Sequence, residues 1–204
     1  MILNADDADF CRWKNINISF LSFSYSRFLF LQKKQKKQPK PSFLSVKGER
    51  GFVLQTNEFV QEENITNYAA FALKYGIMSR GDRWQNITYG MPYFGIGIYT
   101  NTFHREELGN PISLYLIQGA RIAALTKKIS FHYEFNLGYS TSWNTYDPLD
   151  NPKNVAISLQ NNVHVGANLY FKYQLNNRLD INAGGSFMHF SNGATKLPNR
   201  RMNL

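Results

Sequence analysis

The sequence predicts an all-β chain, an antiparallel eight-stranded outer-membrane β-barrel, and three observations carry that expectation. From about residue 51 onward apolar and polar residues alternate with a period of two. The alternating runs reach about ten residues or more, longer than the usual globular strand and suited to a tilted strand crossing a bilayer. No stretch approaches the roughly 18 uninterrupted apolar residues that a membrane-spanning helix needs.

Composition bounds the alternatives. A chain of 204 residues with 43% hydrophobic and 18% charged residues suits one ordered domain. Cys11 is the single cysteine, so disulfide scaffolds and cysteine-based metal sites are excluded. The net charge of +9 is local: residues 1–50 hold ten Lys and Arg against four Asp and Glu. Lys33, Lys34, Lys36, Lys37 and Lys40 fall in a Pro- and Gln-containing run that reads as a solvated linker, and no nucleic-acid partner is expected.

Ahead of that linker, residues 18–31 form an apolar patch. A secretory signal would have basic residues before such a patch and a small-residue cleavage site after it, whereas here Asp6, Asp7 and Asp9 come first and the lysines follow. Residues 1–46 are therefore set apart as an atypical N-terminal segment with its basic linker, and residues 47–204 as the barrel domain.

Strands are expected near 50–60, 66–78, 89–101, 111–125, 128–142, 155–174 and 178–191. In 129–139 the odd positions Ile129, Phe131, Tyr133, Phe135, Leu137 and Tyr139 are apolar, against Ser130, His132, Glu134, Asn136 and Gly138. The run 163–173 repeats the pattern, with Val163, Val165, Leu169 and Phe171 set against His164, Gly166, Asn168 and Lys172. Short polar turns at 126–128 and 176–178 contrast with the longer loop 142–154, as in an outer-membrane barrel. Seven strands are thus expected, with the eighth truncated because the chain stops at Leu204. Trp84, Tyr89, Tyr93, Tyr99, Tyr139, Trp143, Tyr146 and Tyr173 lie near strand ends, where an interfacial girdle would place them.

The polar faces consist of Asn, Ser, Gly, Tyr and His with few Lys or Glu, which favours a filled lumen over the solvated exterior of a soluble lipocalin-like barrel. Parity then sends Phe131, Tyr133, Phe135, Val165, Leu169 and Phe171 outward, and His132, Glu134, His164 and Asn168 into the lumen. His132, Glu134 and His164 read as hydrogen-bonded lumen filling, and no metal site and no cofactor are expected.

The chemically informative stretch is 179–203. Leu179, Ile181, Ala183 and Phe187 mark the odd positions as the apolar face, yet His189 and Ser191 continue that parity. Polar side chains on a lipid-facing surface are costly and call for a reason. A histidine and a serine two residues apart, about 6.5–7 Å along a strand, can serve as base and nucleophile.

His189-Phe190-Ser191-Asn192-Gly193-Ala194, followed by Leu197-Pro198-Asn199, resembles the signature of outer-membrane lipid A 3-O-deacylases, the PagL-type acyloxyacyl hydrolases. The resemblance extends from about Lys47 onward and is nearest the Bacteroidota-like version. It implies an eight-stranded barrel in the outer membrane, with lipid A of lipopolysaccharide as partner and hydrolysis of its 3-linked acyl ester as the reaction. Carried across, Ser191 is the nucleophile, His189 the general base and Asn192 an oxyanion donor, aided by N–H groups at Gly193 and Ala194. The family's third member is an acid fourteen residues after the histidine; here that position is Asn203, and a family glycine is replaced by Arg201. A carboxamide can orient an imidazole but cannot compensate its charge. The alternation by itself is equally met by a non-catalytic structural barrel or a soluble lipid-binding barrel.

Overall fold

The computed structural model describes residues 20–27, 40–54, 58–80, 83–193, 195–197 and 202–204. Its strands are β1 (Phe20–Arg27), β2 (Ser42–Phe52), β3 (Asn67–Met78), β4 (Tyr93–Thr102), β5 (Gly109–Ala124), β6 (Ile129–Trp143), β7 (Asn162–Gln174), β8 (Leu179–Ser191) and the two-residue β9 (Met202–Asn203). Two single-turn helices, α1 (Glu58–Glu62) and α2 (Trp84–Thr88), lie in the β2–β3 and β3–β4 connections. Each strand pairs antiparallel with the next, and β1 also pairs with β8, so the sheet closes on itself. No helix among the described residues is long and apolar enough to cross a membrane.

The strand count corrects the expectation. Among the described residues eight long strands are present rather than seven, and the extra one comes from the segment ahead of the basic linker. Phe20 to Tyr25 pair with Gly184 to Leu179 along one half of the β8 edge. The other half is taken by β9, with Met202 opposite Phe190 and Asn203 opposite His189. Backbone N–H and C=O groups left on an open edge are costly away from water, and closure satisfies them.

The boundary expected at residue 46 also shifts, since it falls inside β2. Ser45, Lys47 and Glu49 are buried while Leu44 and Val46 are exposed, so the alternation begins at Ser42. Lys47 is a lumen residue, bonded to Glu49 at 3.0 Å and to Asn168 at 3.0 Å. The strand expected over 50–60 accordingly ends at Phe52, and α1 follows it. The basic run itself, apart from Lys40, and the acidic residues near the N-terminus lie outside the described residues.

Parity follows the sequence. Phe135, Val165, Leu169 and Phe171 are exposed on the outer surface, with Phe131 and Tyr133 half-buried beside them. His132, Glu134, His164 and Asn168 are buried inside. Neighbouring strands extend the outer band through Phe71, Leu73, Ile96, Ile98, Leu114 and Leu116, all exposed. The expected aromatic girdle is only partly present: Trp84, Tyr89, Tyr139 and Tyr173 are exposed, but Tyr93, Tyr99 and Trp143 are buried. Phe94, Ile96 and Ile98 take the outer positions of β4, and the period of two sends Tyr93 and Tyr99 inward.

The lumen has two chemically distinct halves. Near the four-residue turns, Lys74 Nζ donates to both oxygens of Glu134 at 2.8 and 2.9 Å. The Tyr93 hydroxyl donates to Glu134 at 2.9 Å and lies 2.8 Å from the Tyr170 hydroxyl. Toward the other end, Tyr99, Tyr115 and Phe190 surround His164, whose ring stacks on Tyr115 at 5.1 Å and meets Phe190 edge-on at 5.0 Å, and Trp143 packs on Phe190. Loop residues Phe59, Phe103, Leu108 and Ile157 close over this aromatic cluster.

One glycine fixes the mouth at the turn end. Gly90 adopts φ +71° and its carbonyl accepts the Arg121 N–H at 2.9 Å, so the β3–β4 connection pairs against β5. Any side chain there would strike the Arg121 carbonyl.

Breaking the Lys74–Glu134 pair leaves a buried charge without its partner. Lys74→Met is expected to destabilise the barrel by about 3–5 kcal/mol, with most of the loss recovered in Lys74→Met/Glu134→Leu. Urea unfolding followed by tryptophan fluorescence measures both, and a single variant as stable as the parent would remove the pair from the account of the core.

Candidate functional site

At the loop end of β8 the alternation of side chains brings chemistry to the outer face. Asn182, Met188 and Phe190 point inward and are buried, while Ala183 and Phe187 are exposed outside. His189 and Ser191 therefore take outward positions, opposite Val165 and Val163 of β7. His189 is half-buried, and Ser191 is 8% exposed.

Asn203 reaches His189 because β9 is held on both sides. Leu204 and Met188 exchange backbone bonds at 3.1 and 2.9 Å, and Leu54 N–H donates to the Asn203 carbonyl at 3.0 Å. Met202 and Leu204 are buried, so the residue between them must face the other way, toward His189. Nδ1 of His189 stands 2.6 Å from Oδ1 of Asn203. An N–H on Nδ1 donates to that carbonyl, which leaves the lone pair of Nε2 free to take a proton.

Beyond Ser191 the chain turns sharply. Gly193 has φ +67°, a left-handed conformation natural to glycine, and its N–H donates to Ser191 Oγ at 3.1 Å. Among the described residues no hydrogen bond joins Ser191 to His189. Ala194, Pro198, Asn199 and Arg201 lie outside the described residues.

Asn192 has work other than that expected of an oxyanion donor. Its amide donates to Ser158 Oγ at 2.9 Å and to the Lys196 carbonyl at 3.0 Å, while the Ser158 hydroxyl donates to the same carbonyl at 2.7 Å. Both amide hydrogens are thereby committed, one to the Lys196 carbonyl within the β8–β9 connection and one to Ser158 of the β6–β7 loop. Ser158 is the residue that sequence reading missed. Nothing local to it signals a role, since its partner lies 34 positions away.

The lumen histidines do not assemble into a site with Glu134. Register places His132 opposite Tyr170, and His164 opposite Gly138, six residues further along β6. His132 stacks on Tyr170 at 5.3 Å and bonds Ser130 at 2.9 Å. No cluster of three or more potential metal ligands occurs among the described residues.

The loops above the site are knitted together. Lys153 and Glu63 pair at 2.7 Å, and Arg105 donates to the Glu63 carbonyl at 2.7 Å, joining the β2–β3 connection just after α1 to two other loops. The nearby ammonium of Lys153 holds the Glu63 carboxyl below its ordinary range.

No family model matches this sequence, and comparisons with curated proteins and with solved structures find no match.

The Asn203 contact makes a spectroscopic prediction. Histidine-selective ¹⁵N NMR of the folded chain is expected to show His189 as the Nδ1–H tautomer, and Asn203→Ala to return it to the mixture dominated by Nε2–H. A tautomer unaffected by that substitution would deny Asn203 its orienting role.

Proposed function

We propose that this chain is an outer-membrane serine esterase that removes an ester-linked acyl chain from lipid A, at the 3-position implied by the resemblance of its His189–Asn199 segment. The observation that carries the reading is the 2.6 Å contact of His189 Nδ1 with Asn203, with Ser191 two residues along the same outward face. The band of exposed aliphatic and aromatic side chains around the barrel supports a membrane setting, because contiguous apolar surface of that extent is costly in water.

In this mechanism Asn203 fixes the imidazole tautomer and Nε2 removes the proton of Ser191 as Oγ attacks the acyl carbonyl. The tetrahedral intermediate collapses by breaking the bond to the sugar oxygen, which leaves as a hydroxyl with the proton returned by His189. Water, deprotonated by the same imidazole, then frees the fatty acid from Ser191. The Gly193 N–H, already directed at Oγ, is the donor nearest the developing oxyanion. Asn192 is a positioning residue for that turn. The Ser191–His189 hydrogen bond forms on substrate binding, as catalytic contacts that are long in the free enzyme commonly do.

The rival is a non-catalytic barrel, favoured by the commitment of both Asn192 amide hydrogens to loop contacts. Mass spectrometry of lipid A from cells producing the chain separates the two. The parent is expected to deacylate lipid A, and Ser191→Ala or His189→Ala to reduce turnover by about 10⁴ or more while barrel assembly, read by heat-modifiable gel mobility, is unchanged. Asn203→Glu is expected to raise activity by adding charge compensation for the imidazolium. Intact lipid A with the folded parent chain would overturn the esterase reading.

A further inference from the structure

We propose that the lumen carries a second site, at the end opposite Ser191, that binds a small water-soluble phosphate ester of a polyol. This inference rests on the barrel alone and is independent of the esterase reading.

A cavity of about 300 Å³ opens between the turn 126–129 and Gly90–Met91 and runs inward to Glu134. Its buried charges are already neutralised: Lys74 holds Glu134 at 2.8 Å, Lys47 pairs with Glu49 at 3.0 Å, and Lys172 faces Asp180 at 3.7 Å. Arg121, Lys127 and Lys128 remain at the exposed rim, with no ion pair among the described residues. The entrance is therefore positively charged, and by more than one carboxylate would balance.

Three atoms on the wall point to what the cavity takes. Ser45 Oγ, His132 Nδ1 and Asn182 Oδ1 are buried and have no hydrogen-bond partner, although all three residues line the cavity. Buried polar atoms are normally satisfied, so three open ones around one cavity call for a polar occupant. His132 is held by its stack on Tyr170 and by the 2.9 Å contact of Nε2 with Ser130, and when an oxyanion binds, the Ser130 hydroxyl donates to Nε2 so that Nδ1 carries the proton. The wall thus offers two donors, the Ser45 hydroxyl and His132 Nδ1–H, to an oxyanion, and one acceptor, Asn182 Oδ1, to a hydroxyl.

The two kinds of wall atom narrow the class further. Inorganic phosphate would meet the donors and leave Asn182 Oδ1 open, whereas a polyol phosphate, which the cavity of about 300 Å³ readily admits, meets both kinds of wall atom. The paired strands separate the cavity from the outer apolar band, and the aromatic cluster around His164 closes the other end. The ligand therefore enters from the solvent at the turn end.

The test is isothermal titration of glycerol 3-phosphate into the full chain folded in detergent micelles. Saturable one-to-one binding is expected, weakened about tenfold in Arg121→Gln and in His132→Phe, the share of one charge-assisted hydrogen bond. Arg121 is exposed, so its variant folds as the parent does even where a lumen substitution does not. Ser191→Ala should bind as the parent does, which keeps this site distinct from the esterase. Glycerol should not compete, and glycerate should bind at least tenfold less tightly. Absence of saturable binding, or parent-like affinity in both Arg121→Gln and His132→Phe, would overturn the site. Competition by short-chain phosphatidic acid would overturn the assignment to a soluble ligand.

Discussion

Everything in this molecule depends on how the free edge of β8 is covered. A sheet of seven antiparallel strands has two rows of unpaired N–H and C=O groups, each costing several kcal/mol, about 2–7 by the choice of reference, when removed from water without a partner. Here β1 covers the β2 edge and half of the β8 edge while β9 covers the other half, so two segments from opposite parts of the chain share one strand's edge. The register of that sharing is what places Asn203 opposite His189. A slip of one residue would turn Asn203 inward and bring Met202 or Leu204 to the outer face.

Closure also divides the interior. Once every strand alternates, inward positions must be filled, and the chain fills them with two kinds of matter. Near the short turns it uses charges, and these are tolerable because Glu134 is met by Lys74, Tyr93 and Asn168 at once. Glu49 is treated similarly, by Lys47, the Tyr68 hydroxyl and the Ser186 hydroxyl. Toward the loops the filling turns aromatic: Tyr99, Tyr115 and Phe190 pack around His164, Trp143 packs on Phe190, and loop residues lie above them. The stiff aromatic end underlies His189 and Ser191, whose neighbour Phe190 is fully buried in it. A side chain anchored on both sides by such packing keeps the orientation that positioned chemistry requires.

Much of this was legible in the sequence because the governing periods are local. Alternation marked β3 and β5 to β8, and the composition of the polar faces, poor in Lys and Glu, added the inward placement of His132, Glu134, His164 and Asn168. Asn203 was pointed to by the family resemblance, which puts a third member fourteen residues after the histidine, and the register brings it into contact with His189. Tyr93 and Tyr99 show a signal that was present and went unused, since Phe94, Ile96 and Ile98 already fix the parity of β4. Other features had no local signal. The pairing of β1 with β8 joins segments about 160 positions apart, a match set by closure rather than by either segment's composition. Lys47 opened the barrel domain in the sequence, but only its partners, Glu49 two residues along the same face and Asn168 on β7, reveal it as lumen filling. Asn192 looked like an oxyanion donor by its place in the motif, and Ser158, from another loop, gives it a different task.

The carboxamide at position 203 follows from the same edge. Met202 and Leu204 flank it in the buried interior, and the strand edge there borders the apolar outer band. A carboxylate in that position would carry a desolvation cost throughout the resting state, whereas the Asn203 carbonyl accepts the His189 Nδ1–H as a neutral group. On the esterase reading the exchange is direct: the resting site is easier to bury, and the imidazolium that forms during turnover receives orientation without charge compensation. Stabilisation of the transition state then falls more heavily on donors aimed at the oxyanion. The Gly193 N–H, held toward Ser191 Oγ by a left-handed turn that Asn192 and Ser158 anchor, is the donor placed to supply it.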